Sequence, residues 1–169
     1  RLPVLDLTGD FTGIEKDEEI TIQASYDAAD MTFTSVATVE YQGSSSLNYE
    51  KKNYNIRFFE DETLEDKNKI DLGWGKENKY TLKANYIDYS QSRNIVSAKL
   101  WGDMLRTREN PPVPLSEKIN GGAIDGFPVL LYLNGEYQGV YTFNIPKDKW
   151  SMESDEHPVM AVVTTNDWS

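Results

Sequence analysis

Two strand-like runs meet at Asn134-Gly135, and no other feature of the chain limits its fold so tightly. Asn-Gly readily supplies the two positive backbone φ angles of a tight hairpin turn, so Leu130 to Leu133 and Tyr137 to Phe143 are expected to pair antiparallel. The first run is almost wholly apolar, which predicts a central strand covered on both sides. The second alternates, with Tyr137, Gly139, Tyr141 and Phe143 in one phase and Gln138, Val140 and Thr142 in the other. A glycine inside a strand weakens it unless something passes close by, so Gly139 predicts the near approach of a neighbouring strand or a ligand.

Further strands are expected at Leu2 to Leu7, Ile20 to Tyr26, Thr32 to Tyr41, Tyr49 to Phe59 and Lys79 to Tyr86. The alternation in Thr32 to Tyr41 changes phase once, which a bulge or a short break near Ser35 would reconcile. Between Glu60 and Asp71 the chain is densely charged and reads as a solvated loop. From Asp88 the period becomes helical: Val96, Leu100, Trp101, Met104 and Leu105 form one apolar stripe, and Ser97 and Ala98 allow close approach. Asp88 or Ser90 is placed to cap this helix, which runs to about Leu105 and is expected to lay its stripe on the sheet. Asn110-Pro111-Pro112-Val113-Pro114 stops it. A short helix from Pro146 to about Met152 is also expected. The fold class is therefore α+β, an antiparallel-rich sheet with one main packed helix. At 169 residues the chain suits a single domain, 1–169. Strand-like segments at both termini, Arg1 to Leu7 and Pro158 to Thr165, suggest a piece of a longer protein.

Composition narrows the function. With 17 basic and 28 acidic side chains the net charge is -11, which argues against nonspecific nucleic-acid binding and against an anionic membrane surface. No run approaches the roughly 20 apolar residues of a membrane span, so no membrane insertion is expected. The absence of cysteine excludes disulfides and thiolate-bound metal. His157 is the single histidine, so a paired-histidine metal site is excluded, no serine lies in a nucleophile elbow, and carboxylates are too abundant for any pair to signal a glycosidase. Four tryptophans and ten tyrosines keep carbohydrate stacking as an alternative, although core packing accounts for most aromatic residues.

Four residues stand out as candidate anion ligands. Lys52 shares the phase of Tyr54, Ile56 and Phe58, whereas Lys51 shares that of Asn53, Asn55 and Arg57. A lysine in the core phase either snorkels to water or reaches into a cleft to meet a phosphate. Arg93 and Asn94 open the helix, where backbone donors and a guanidinium can converge on an anion; alternatively Arg93 pairs with Asp88. Gly43 to Ser46 is either a strand-joining turn or a loop over a phosphate. Lys52, and after it Lys51, is expected within reach of Arg93 or the start of its helix.

Three segments in order carry a family resemblance. Glu40-Tyr41-Gln42-Gly43-Ser44-Ser45-Ser46 with Lys51 to Phe58, then Lys79 to Asp88 with Ser92-Arg93-Asn94, then Leu133 to Tyr141, resemble the motifs of the CotH kinases, the spore coat protein H-like atypical protein kinases. The resemblance implies the N-terminal lobe of an atypical kinase that transfers the γ-phosphoryl of ATP, with Mg2+, to serine in a protein substrate such as a coat protein. It implies a bacterial protein at the cell surface, extracellular or in the spore coat. Lys51 or Lys52 would meet the phosphates, Arg93 and Asn94 would organise the helix side, and the catalytic and metal-binding aspartates would follow Ser169. Without them the chain alone is expected to be inactive. Gln42 departs from the family's usual arginine and Asn144 from its usual glutamate, which keeps open a noncatalytic surface or scaffold module.

Overall fold

The computed structural model describes residues 1–110 and 118–147. Seven strands close into a barrel: β1 (Val4–Thr8), β2 (Ile20–Asp27), β3 (Thr32–Gln42), β4 (Asn53–Phe59), β7 (Lys79–Lys83), β8 (Gly126–Leu133) and β9 (Glu136–Asn144). Their order around the barrel is β1-β2-β3-β4-β7-β9-β8. The short strands β5 (Ile70–Asp71) and β6 (Lys76–Glu77) form a separate ribbon inside the charged connection between β4 and β7. Helix α1 (Arg93–Arg106) lies between β7 and β8. The architecture is α+β, and all barrel pairs are antiparallel except β1 with β8.

The hairpin forms as expected, with φ of 51° at Asn134 and 78° at Gly135. Asn134 also closes the barrel. Its side-chain amide donates to the Gly9 carbonyl at 3.0 Å and accepts from the Gly9 N–H at 2.9 Å, while its own N–H donates to Leu7 at 2.9 Å. These bonds extend the β1–β8 pairing past its last strand residue. Closure removes the open edges of the sheet and turns one face of every strand inward. Leu5, Leu7, Val39, Ile56, Phe58, Tyr80, Leu82, Val129, Leu131 and Phe143 fill that interior and are essentially inaccessible to water. Aromatic rings carry much of the packing: Phe127 stacks on Phe143 at 5.7 Å, and Tyr80 meets Phe143 at 5.1 Å.

Three local expectations change. The first hairpin strand pairs on both sides but is covered on one face only: Val129 and Leu131 are buried, while Leu130 and Tyr132 on the barrel's outside are partly exposed. Strand β3 needs no bulge, because Ser35 keeps its place in an unbroken register with β2 and satisfies its hydroxyl on the carbonyls of Val36 and Phe59. Helix α1 begins at Arg93 rather than Asp88, and residues 88–92 form the turn that caps it.

The larger correction concerns how α1 packs. Val96, Leu100 and Met104 are 57%, 57% and 58% exposed, so three of the five stripe residues face solvent. The buried helix residues are Gly102 and Leu105, and they meet the 3-10 turn Ile119–Gly122. A Cβ on Gly102 would stand 1.9 Å from Asn120 Oδ1, and one on Gly121 would stand 2.5 Å from Leu105 Cδ2. Backbones this close leave room for hydrogen bonds in place of side-chain contacts. Asn120 donates to the carbonyls of Ala98 and Ile124 at 2.9 and 2.8 Å, and the Trp101 indole donates to Gly121 at 3.3 Å. Glycine and asparagine carry no hydrophobic signal, so periodicity points to the opposite side of the helix. The expected helix from Pro146 to Met152 falls, beyond Lys147, outside the described residues.

Candidate functional site

Alternation gives β4, β7 and β9 an outer face as polar as their inner face is apolar. The register sets Asn55 beside Thr81, Thr81 beside Asn144 and Lys83 beside Thr142. At the end of β3, Gln42 lies beside Asn53. Helix α1 and residues 122–124 stand over this polar face and enclose a cavity of about 790 Å3. Lys79, Lys83 and Lys147 line one part of it; Ala98, Trp101, Ile124, Ile145 and Pro146 give it an apolar wall.

Among the described residues no aspartate or glutamate lines this cavity, although the chain as a whole is strongly acidic. Lys83 donates to Gln42 Oε1 at 2.5 Å, and burial together with the nearby Lys147 charge holds its ammonium below the ordinary lysine range. Lys79 and Lys147 have no hydrogen bond or carboxylate partner among the described residues. Ammonium groups gathered without counter-charges favour an anion, and lysine suits phosphate as a compact point charge.

A second, smaller cavity of about 300 Å3 continues from the first and shares Lys83, Asn94, Ile124 and Asn144 with it. Ser45, Ser46 and Lys51 line its other side, with Tyr49 and Tyr86 stacked on each other at 5.2 Å.

Of the four residues singled out from sequence, these cavities bring together two. Asn94 lines both, and Lys51 lines the smaller. The Lys51 ammonium is held by the carbonyls of Val140 at 2.6 Å and Ala84 at 3.1 Å, and lies 4.3 Å from the centre of the Tyr141 ring. It passes so near Gly139, whose φ is 105°, that a Cβ there would sit 3.3 Å from Lys51 Nζ. The neighbour that Gly139 anticipates is thus a lysine side chain. Lys52 serves the loop instead, donating to the carbonyls of Leu47 and Tyr49 at 2.7 and 2.5 Å. Arg93 is 78% exposed with Nε 3.6 Å from Asp88 Oδ1, the local pairing weighed against an anion role. Asp88 caps the helix by accepting from the N–H groups of Ser92 and Arg93. The Ser90 hydroxyl, the N–H groups of Arg93 and Ser90 and the Arg93 charge hold its carboxyl below the usual carboxylate range.

Sequence reasoning missed Lys79, Lys83 and Lys147. A signal for the first two was present, since Lys79, Thr81 and Lys83 share the phase opposite to Tyr80 and Leu82. Reading it as a site required knowing that β7 pairs with β4 and β9. The two positions where the resemblance breaks, Gln42 and Asn144, both line this same cavity. Magnesium does not fit the described part of the lining: a hard cation needs oxygen ligands, usually carboxylate, and here it would meet neutral amides and ammonium groups. Among the described residues no cluster of three His, Cys, Asp or Glu side chains is arranged to hold a metal.

No curated protein matches the chain. The family model described as CotH kinase protein matches residues 39–144, a span running from β3 through β9 that contains α1 and most residues of both cavities. With well over half of its length matched by that model, the chain belongs to the CotH kinase protein family.

Proposed function

We propose that this chain is the nucleotide-binding lobe of a CotH-type atypical protein kinase. The cavity on the outer face of β4, β7 and β9 would receive ATP, its phosphates toward Lys79, Lys83 and Lys147 and its base toward the apolar wall around Trp101. The carrying observation is the set of lysines lining the cavity with no carboxylate beside them among the described residues, in a chain of net charge -11. A volume of about 790 Å3 is also within the range of small-molecule sites. Asn94 and Lys51 border the same space, whereas Lys52 and Arg93 are engaged by the protein itself. Phosphoryl transfer is chiefly positioning and charge stabilisation, and in this reading the chain supplies only the cationic wall. The acceptor is a serine of a protein substrate, with a coat or cell-surface protein as the partner class. Mg2+ would be held by residues outside this cavity, and the isolated chain would not turn over.

The test is equilibrium binding of ATP to the 169-residue chain, compared with Lys83→Ala and with Lys76→Ala on the exposed ribbon. Lys83→Ala is expected to weaken binding at least several-fold and Lys76→Ala to leave it unchanged. Equal effects from the two would end the assignment of the cavity. A noncatalytic surface or scaffold module is the second reading, favoured by the uncharged Gln42 and Asn144 in the cavity. Phosphorylation of a serine-rich acceptor by a longer form of the protein would exclude it.

A further inference from the structure

Kinase-type sites ordinarily meet a nucleotide through a metal ion, and this cavity is built for a different encounter. We propose that in the isolated 169-residue chain the Lys79–Lys83–Lys147 cavity takes its polyphosphate as the metal-free anion, so that there Mg2+ competes with the protein for the phosphates instead of bridging the two. The inference rests on the cavity being the phosphate site of the preceding reading. It goes further by naming the charge state of the ligand and a sensitivity to Mg2+.

Magnesium demands near-octahedral oxygen ligands and gives up water reluctantly. The described lining offers neutral amide and hydroxyl oxygens but no carboxylate. Gln42 Oε1 is engaged by Lys83, and Asn144 Oδ1 is buried against Gly126, where a Cβ would come within 2.2 Å of it. Asn55 donates its amide nitrogen to Glu40 at 2.8 Å, so what it can offer a metal is a neutral amide oxygen, and the Glu40 carboxylate it holds is not part of the lining. Among the described residues the charge around the space is ammonium alone, which repels Mg2+ and attracts phosphate oxygen. Lys83 already carries the cost of burial and of a like-charged neighbour, and a bound polyanion relieves both. A triphosphate carries a charge of about -4 near neutral pH, and Mg2+ cancels about half of it. The metal therefore removes the attraction that these lysines offer and gains no carboxylate ligand from the described lining in return.

Calorimetric titration of the 169-residue chain separates the two ideas, using inorganic tripolyphosphate and ATP, each in EDTA and in excess Mg2+ at fixed ionic strength. Both ligands are expected to bind in EDTA, with Mg2+ weakening each on the order of tenfold, the scale of a few partly exposed charge contacts. Lys83→Gln should weaken binding in EDTA and shrink the effect of Mg2+, while Lys76→Gln should do neither. Tripolyphosphate binding that is sensitive to Mg2+, with no further gain from ATP, would keep this inference and overturn the nucleotide reading. ATP binding that requires or is tightened by Mg2+ would keep the nucleotide reading and overturn this inference, as would failure of both ligands to bind in EDTA.

Discussion

Strand β7 separates two regions that differ more than any others in the molecule. Tyr80 and Leu82 point into the barrel and are fully buried, whereas Lys79, Thr81 and Lys83 point out from the same five residues into a polar cavity. Inside, each side chain meets others of complementary shape, and loss of volume leaves a void. Outside, Lys83 is largely sheltered from water yet has only an amide oxygen as partner. The first arrangement maximises stability. The second leaves interaction energy unused within the protein and available to a ligand. One backbone supports both because the period of a strand is two and the barrel closes only one side.

This contrast can be broken or sharpened by substitution. The largest effect is expected inside: Phe58→Ala, at a site with no exposure and edge-on contact to Phe33 at 5.4 Å, should cost about 3–5 kcal/mol in denaturant unfolding. A cost below about 1 kcal/mol would mean that the barrel interior collapses readily. Next comes the helix contact, where Gly102→Ala places a Cβ 1.9 Å from Asn120 Oδ1 and should cost about 1–3 kcal/mol through displacement of the 3-10 turn. That loss should appear with altered Trp101 fluorescence, since its indole is bonded to Gly121.

Outside the barrel the sign reverses. Lys83→Met removes a charge that burial disfavours, so stability at neutral pH should be unchanged or raised while anion binding falls. The pH dependence follows the same logic. Because the folded-state pKa of Lys83 is lowered, the folded protein releases this proton at lower pH than the unfolded chain does. The lysine's penalty is therefore fully present below its folded pKa and disappears as pH rises to the unfolded value, and anion binding should fade over that window, beginning below the ordinary lysine range. The smallest effect is expected at Leu100→Ala on the outward helix face, within about 0.5 kcal/mol. A cost of about 2 kcal/mol or more would show that the apolar stripe is covered in solution.

What could be read from the residues themselves was local and periodic. The Asn134-Gly135 turn, the in-out alternation of Tyr54, Ile56 and Phe58, the helical period after Arg93 and the order of the three family motifs all depend on near neighbours in the chain. Tertiary structure decided the rest. Barrel closure depends on Asn134 reaching Gly9 across 125 residues. The facing of α1 depends on Gly102 and Gly121, which act through the space they leave open and so carry no signal in a hydrophobic pattern. The cavity depends on β7 lying between β4 and β9, which brings Lys79, Lys83, Asn144 and Lys147 together from positions separated by dozens of residues. A strand's own sequence determines which side chains share a face, but only its pairing determines which other strands complete that face.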